Sequence, residues 1–201
     1  MSDLIGGISM HYDKQEVHQS QRILNAAFDH ISKKGYANVS LREIADEAGV
    51  VLSQLNYYYK NKEGLLVEVI RMTMKKYMNE VKGILIIGST AKEKLNNLIC
   101  YFQGTLRKNQ NLFRLLFDLT SMAMWSESFG NLLNELFDDL AQLIEDNILN
   151  IATPEFKLSG YTTHTTARMI FGALFGTSIQ VLLNPDEKEL PEALSVIGSM
   201  L

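Results

Sequence analysis

Side chains suited to DNA recognition stand together in the short stretch SQLNYYYKNKEGLL. Gln54 and Asn56 carry amides that can pair bidentately with adenine in the major groove. The hydroxyls of Tyr57 and Tyr58 and the ammonium of Lys62 suit phosphate oxygens. This set has the chemistry for holding and reading double-stranded DNA.

Two short helices around Gly49 would position these side chains. Ser40 and Glu43 form a capping box that predicts a helix starting at Leu41, and Gly49 is a residue that readily turns the chain out of a helix. A second short helix is predicted over Leu52–Tyr59. The spacing of Ala45, Gly49 and Leu55 is that of a helix-turn-helix. Ala45 is the small residue where the helices cross, Gly49 is the glycine at the turn, and Leu55 is the apolar residue that anchors the second helix.

The second of these helices has two distinct faces. Leu55 and Tyr59 are four residues apart and are predicted to pack inward, so the residues between them point elsewhere. Arg42, in the first turn of the preceding helix, can reach a guanine edge or a phosphate. A lone tyrosine cluster is more often core filler than a nucleic-acid contact, and it is the helix-turn-helix spacing, with the capped second helix and polar third helix, that favours DNA binding.

Composition and periodicity indicate an all-α protein with about nine helices. The chain has 201 residues, 46% of them hydrophobic, and a net charge of -4, which by itself argues against a nucleic-acid partner. The single cysteine, Cys100, permits no internal disulfide and fits a cytoplasmic location. The longest apolar run, 169–183, is shorter than a membrane-spanning helix, and no signal peptide is expected. We therefore expect no membrane association.

Helical spacing, caps and prolines divide the chain into two parts. We predict a three-helix helix-turn-helix domain over 14–62 and a helical ligand-binding and dimerisation body over 63–201, with a long connecting helix at 62–82. The first four expected helices are Glu16–Lys34, Leu41 to the residue before Gly49, Leu52–Tyr59 and a long helix that Asn61 caps and that reaches Val81. The fifth is Ala91–Lys108, which follows a Thr90–Glu93 capping box. The last four are 111–124, 127–151, 163–183 and a helix that begins at Pro191.

The stretch from Ile23 to Leu66 resembles the DNA-binding domain of the tetracycline-repressor (TetR) family of bacterial regulators. The positions that carry the resemblance are Gly35-Tyr36, Ser40, Ile44-Ala45, Ala48-Gly49-Val50, Leu55, Tyr58-Tyr59, Lys62-Glu63 and Leu65. It covers about a quarter of the chain. Leu52 and Asn56 depart from the family pattern, which commonly has a polar or basic residue and a tyrosine there.

The resemblance implies roles for individual residues. It places Arg42, Gln54 and Asn56 where family members touch bases. It places five further residues where they touch phosphates: Ser40, Ser53, Tyr57, Tyr58 and Lys62.

Aromatic and methionine side chains in the middle of the body suggest either core or an apolar ligand pocket. The candidate ligand-binding residues, including polar handles, are Phe102, Phe113, Phe117, Asp118, Met122, Trp125 and His164. The last two helices, at 163–183 and after Pro191, are expected to form a homodimer through a four-helix seam, as the resemblance also implies. The candidate interface residues are Ile170, Phe171, Leu174, Phe175, Ile179, Leu194 and Ile197.

The leading hypothesis is a regulator, most simply a repressor, that binds a palindromic operator as a homodimer and is released by a small apolar effector. The alternative is an all-α small-molecule binding protein whose helix-turn-helix is only scaffold. We find no catalytic set, metal-ligand spacing or cofactor motif, so we expect no enzyme, no metal and no cofactor.

Overall fold

The computed structural model describes residues 3–154, 158, 160–187 and 189–200, with the backbone alone at 3–16, 190, 191 and 200. Within these residues the chain forms nine α-helices, which confirms the predicted all-α fold. In order they are α1 Asp3–Lys34, α2 Leu41–Ala48, α3 Leu52–Tyr59, α4 Lys62–Ile86, α5 Ala91–Lys108, α6 Gln110–Ala123, α7 Glu127–Ile144, α8 Thr163–Leu183 and α9 Leu190–Met200.

The chain divides into two compact units, one up to Thr73 and one from Met74 onward, so the division falls inside α4. In the first unit α1 packs against α2 and α3. Its core consists of buried aliphatic side chains from all four helices, among them Ile23, Ala27, Ile31, Ile44, Leu55, Leu66 and Ile70.

Side-chain caps fix where several helices begin. In α2 the Ser40 Oγ accepts the Glu43 N–H at 3.2 Å, and the Glu43 carboxylate accepts the Ser40 N–H at 2.8 Å. Thr90 and Glu93 form the same reciprocal box before α5. Both boxes confirm the sequence prediction, and such caps satisfy amides that a helix start leaves without partners.

The second unit has its own hydrophobic core. Helix α8 packs against α7 and α9, and α5 packs against α9. Leu95, Leu98, Ile144, Ile170 and Leu174 are all buried within one cluster. The aromatic residues that line the cavity described below belong to this core or pack against it.

Three helix bounds differ from the prediction by more than one residue. α1 begins at Asp3 rather than Glu16, and α4 continues through Gly83 to Ile86, so glycines in both helices are tolerated. α7 ends as an α-helix at Ile144 and continues as a π-turn over Glu145–Leu149. Helix ends are the features that periodicity determines least well.

α8 is apolar and long enough, by length and composition, to cross a membrane. Core helices of globular proteins pass the same test. In this chain Ile170, Leu174 and Ser178 of α8 are buried inside the second unit.

Candidate DNA interface and ligand cavity

The turn between α2 and α3 depends on Gly49. Its φ of +64° and ψ of 40° are left-handed, a conformation that L residues with a Cβ rarely adopt. The Gly49 N–H reaches back to the α2 carbonyls, and the Val50 N–H donates to the Ala45 carbonyl at 3.0 Å. α2 therefore ends abruptly and α3 begins after only a short connection.

α3 is anchored through the face predicted to be internal. Leu55 and Tyr59 are buried, and the Tyr59 hydroxyl donates to the Ser20 carbonyl of α1 at 3.1 Å. Burial raises the pKa of Tyr59, so its hydroxyl stays a neutral donor. The opposite face of α3 is consequently held outward.

That outward face presents polar side chains to solvent. Ser53, Gln54 and Asn56 are exposed, and Tyr57 is 78% exposed. Gln54 Oε1 accepts the Val51 N–H at 3.3 Å, which helps to cap α3. Exposed amide and hydroxyl groups on a short, anchored helix are what base and phosphate contacts in a major groove require.

Tyr58 differs from the prediction that it points away from the core. It is half-buried, its hydroxyl donates to Gln19 Oε1 of α1 at 3.3 Å, and its ring contacts those of Tyr57 and Tyr59. Its position one residue before the inward-facing Tyr59 explains this, because consecutive helical residues lie about 100° apart. Tyr58 thus lies at the border between core and surface.

Lys62 is half-buried and already has intramolecular contacts. Its Nζ lies 4.4 Å from the centroid of the Tyr36 ring and donates to the Ala37 carbonyl at 3.5 Å. Burial, and secondarily Glu63, raises the pKa of Tyr36. These contacts tether the start of α4 to the short 3₁₀ turn at Tyr36–Asn38.

The start of α2 carries Ser40 and Arg42. The Ser40 hydroxyl is engaged in the capping box, whereas Arg42 is exposed. The hydrogen bond from the Ser40 N–H, then that from its hydroxyl, and then Lys34 at 3.1 Å lower the pKa of Glu43 to about 2. Of the two residues Ser40 and Arg42, it is therefore Arg42 whose side chain is positively charged, exposed and accessible to DNA.

The α3–α4 connection is a tight turn that sequence reasoning missed. Lys60 has φ +58° and ψ -49°, and the Asn61 N–H donates to the Tyr59 carbonyl two residues back at 2.6 Å. This is a γ-turn of the rare positive-φ type. Asn61 Oδ1 then accepts the Gly64 N–H at 2.7 Å, which confirms the predicted cap on α4.

The second unit encloses an apolar slot of about 50 Å³. Two of the predicted ligand residues, Phe102 and Phe113, line it, together with Phe171 and Phe175, which were predicted for the dimer interface. α4 contributes four residues to the lining: Met74, Tyr77, Met78 and Val81. The Tyr101 hydroxyl, also at the slot, donates to Glu80 at 2.8 Å, and burial followed by Glu80 raises its pKa.

Phe117 and Asp118 line a different space, an open groove of about 630 Å³ between α6 and the end of α8. Phe117 also packs against two slot residues, with ring centroids 6.5 Å from Phe113 and 5.1 Å from Phe175. Asp118 is half-buried and interacts with another group of the chain.

The three remaining ligand candidates line neither space. Trp125 is 91% exposed at the α6–α7 turn, and Met122 is half-buried nearby. His164 Nδ1 lies 3.0 Å from Glu145 Oε2, and Arg168 Nε donates to His164 Nε2 at 3.2 Å. His164 therefore belongs to a polar network between α8 and the π-turn that follows α7.

The predicted interface residues of α8 and α9 mostly face the core of their own chain. Five of the seven are buried there: Ile170, Phe171, Leu174, Leu194 and Ile197; Phe175 and Ile179 are half-buried. The outer surface of the two helices is formed instead by Met169, Gly172, Ala173, Gly176, Gln180, Ala193 and Val196. Because α8 is apolar on nearly all sides, its sequence does not indicate which side faces outward.

Among the described residues, no three His, Cys, Asp or Glu side chains lie together as they would around a metal ion.

The sequence of this chain is similar to those of known proteins. Residues 23–69 match the family described as "Bacterial regulatory proteins, tetR family". The fatty acid metabolism regulator protein of Bacillus subtilis is 26% identical over 179 residues, which cover 88% of this chain and 90% of that protein. The transcriptional regulator BetI of Vibrio parahaemolyticus is 26% identical over 185 residues, covering 90% and 88%.

Solved structures share the fold. FadR from Bacillus subtilis in complex with stearoyl-CoA superposes with a TM-score of 0.76 at 21% identity, covering 90% of this chain and 96% of that one. A transcriptional regulator of Saccharomonospora viridis in complex with choline gives a TM-score of 0.76 at 19% identity, with 90% and 93% covered. The family match and the curated relatives favour a regulator over a binding protein whose helix-turn-helix is only scaffold.

Proposed function

The chain belongs to the TetR family of bacterial regulatory proteins, and from that membership we propose that it represses transcription as a homodimer on a palindromic operator. A small apolar effector bound in the slot releases the DNA. The site of action is the bacterial cytoplasm.

The observation that carries the proposal is the outward face of α3. Leu55 and Tyr59 anchor the inner face of α3 in the core, so the exposed amides of Gln54 and Asn56 on its outer face can enter a major groove together. Base reading is assigned to Arg42, Gln54 and Asn56. Phosphate contact is assigned to Ser40, Ser53, Tyr57, Tyr58 and Lys62.

The outer face of α8 and α9 supports a two-fold homodimer. Gly172 and Gly176 have open space above them within the chain, so the backbone of a second helix can approach closely there. Met169 and Val196 add apolar surface. A two-fold axis at this face would present two copies of α3 to two half-sites, which lie about 34 Å apart when they are one DNA turn apart.

The slot supports an apolar effector. Its lining is almost entirely aliphatic and aromatic, as small-molecule sites are. α4, which supplies Met74, Tyr77, Met78 and Val81 to the slot, continues without interruption from the capped turn after α3. An effector that shifts α4 would favour a conformer with mis-spaced reading helices, and effector and operator would weaken each other's binding by the same factor.

Salt-dependent binding to the DNA upstream of the protein's own gene tests the proposal. A labelled duplex of that region should bind more tightly than a scrambled duplex, and affinity should fall steeply with salt. Asn56→Ala should reduce that preference, whereas Asn131→Ala, a matched change of an exposed asparagine on α7, should not. Equal affinity for both duplexes would exclude the function.

A further inference from the structure

The two amide side chains on the outward face of α3 differ in how they are bonded. Gln54 Oε1 accepts the Val51 N–H at 3.3 Å, so the carbonyl end of this amide is engaged within the chain. Asn56 is also exposed, and among the described residues none forms a hydrogen bond with its side chain. One amide therefore meets DNA with its donors alone, and the other meets it with donors and an acceptor.

The residue at the N-cap of α3 explains why Gln54 is engaged. Val51 takes this position with extended dihedral angles, φ -77° and ψ 147°, and its side chain has no group that could accept an amide of the first turn. Gln54, at the third helical position, supplies the other half of a capping box by accepting the Val51 N–H. Since only the amide oxygen can accept an N–H, this bond leaves the Nε2 donors of Gln54 free.

This difference changes which base each amide fits. An adenine in the major groove presents the N7 acceptor beside the N6 donor, so pairing with both requires an amide whose oxygen and nitrogen are free. A guanine presents two adjacent acceptors, N7 and O6, and needs only donors. The engaged Gln54 therefore fits guanine, whereas the free Asn56 fits adenine. Gln54 could pair with adenine only by giving up its bond to the Val51 N–H.

The two amides lie on opposite flanks of the outward face. Across the side of α3 that is away from Leu55, Gln54 and Asn56 are about 160° apart, with Tyr57 between them. Along the helix axis they are separated by about 3 Å, close to the ~3.4 Å step between base pairs. Each amide therefore reaches a different base pair, and the two preferences can be measured separately.

We propose that Gln54 reads guanine and Asn56 reads adenine, so that each half-site of the operator contains both bases. Val51 is a positioning residue, because its N–H holds the carbonyl of Gln54. The inference rests on the proposed function in taking α3 as the helix that enters the major groove, and it adds the bases that this helix selects. It replaces the expectation that both amides pair with adenine.

Selection from a pool of duplexes with a randomised centre tests the two bases. The unchanged chain should enrich a guanine and an adenine in each half-site, and exchanging that guanine for adenine should weaken binding about fivefold or more. Gln54→Met, which keeps the length of the side chain and removes its amide, should lose the guanine preference alone. Asn56→Ala should lose the adenine preference alone. Enrichment of adenine at the position that depends on Gln54 would overturn the inference.

Proline substitutions test the role of the Val51 N–H. Proline lacks an N–H and fixes φ at about -65°, which suits the φ of -77° at this position. In Val51→Pro the Gln54 carbonyl is released, so the preference at its base should change from guanine to adenine. Leu52→Pro is the matched control, because proline is favoured at the first helical position and the Val51 N–H is retained. An unchanged guanine preference in both variants, or its loss in both, would contradict the role of Val51.

Amide hydrogen exchange tests the engagement of Gln54 without DNA. The Val51 N–H should exchange about two- to tenfold more slowly in the unchanged chain than in Gln54→Met, the protection that one hydrogen bond gives. The Val50 N–H, which donates to the Ala45 carbonyl, is the control and should exchange equally in both. Equal rates at Val51 would overturn the inference. If Val51→Pro does not fold, this measurement and the base selected by the unchanged chain and lost in Gln54→Met decide the question.

The outcomes separate this inference from the proposed function. If the unchanged chain enriches no sequence from the pool, the function is excluded, and base reading by α3 is excluded with it. If it enriches a palindrome in which the base that depends on Gln54 is adenine, the function stands and the inference is overturned.

Discussion

A Cβ placed on Gly64 would lie 2.6 Å from the carbonyl oxygen of Tyr59. That oxygen is held by the γ-turn at Lys60, where it accepts the Asn61 N–H. The junction between α3 and α4 thus requires a residue without a side chain in the first turn of α4. Because α3 carries the amides that we propose to read bases, the geometry of this junction also bears on their orientation.

Gly64→Ala should destabilise the chain by about 1–3 kcal/mol, the usual cost of forcing atoms into a packed site. Gly83→Ala is its matched control in the same helix, where an added Cβ meets no atom within 4 Å. That change should stabilise α4 by about 0.5–1 kcal/mol through helix propensity. Urea unfolding measures both, and equal effects of the same sign would refute the close approach.

Arg42→Ala and Lys62→Ala should affect DNA binding differently. Loss of Arg42 should relax base preference, since the resemblance assigns it to a base edge. Loss of Lys62 should weaken all sequences alike and lower the slope of affinity against salt by about 1. Affinities for the operator and a scrambled duplex over a range of salt concentrations measure both, and identical behaviour of the two variants would contradict the assigned roles.

The depressed pKa of Glu43 predicts an acid dependence of stability. The folded chain holds this pKa at about 2, below its ordinary value of 4.5, so the ionised carboxylate stabilises the fold above about pH 4.5. That contribution is lost as the pH falls toward 2. In urea unfolding across this window, stability should fall more steeply for the unchanged chain than for Glu43→Gln. Parallel curves would show that the capping box is not linked to protonation.

The proposed dimer face of α8 and α9 predicts a selective effect at Gly172. Gly172→Arg places a charge on the outer face of α8, where a side chain meets no atom of its own chain within 4 Å. The protomer should fold normally while dimerisation and operator affinity are lost, because one reading helix cannot use the second half-site. Sedimentation velocity measures the state of association. Gly104→Arg, at an equally open glycine of α5, should remain dimeric.

Much of the fold follows from local signals in the sequence. The Ser40–Glu43 box, the left-handed Gly49 and the Asn61 cap each act within four residues, and each is present in the structure. The inward pair Leu55 and Tyr59 was also predictable, because helical spacing alone separates that face from its opposite. The γ-turn at Lys60 gave no such signal, since lysine rarely adopts a positive φ.

Tertiary packing determines the positions of side chains that local sequence signals leave ambiguous. Trp125 was expected in a pocket and is exposed, and Phe171 was expected at a dimer interface and lines the slot. Aromatic residues on nearly uniformly apolar helices have several possible neighbours, and only the arrangement of α6, α7 and α8 selects among them. The role of His164 was similarly ambiguous in the sequence, because only the fold brings Glu145 next to it.

The eight residues of α3 limit how much information the protein can read from DNA. At a rise of 1.5 Å per residue the helix is about 12 Å long and spans about four base pairs. In the proposed homodimer, two copies of α3 specify about eight base pairs, a sequence expected by chance about fifteen times among ~10⁶ genomic positions. Contacts from α3 therefore do not single out one promoter, and under the proposed assignment the remaining selectivity comes from Arg42 and from the sequence-dependent shape of the DNA between the half-sites.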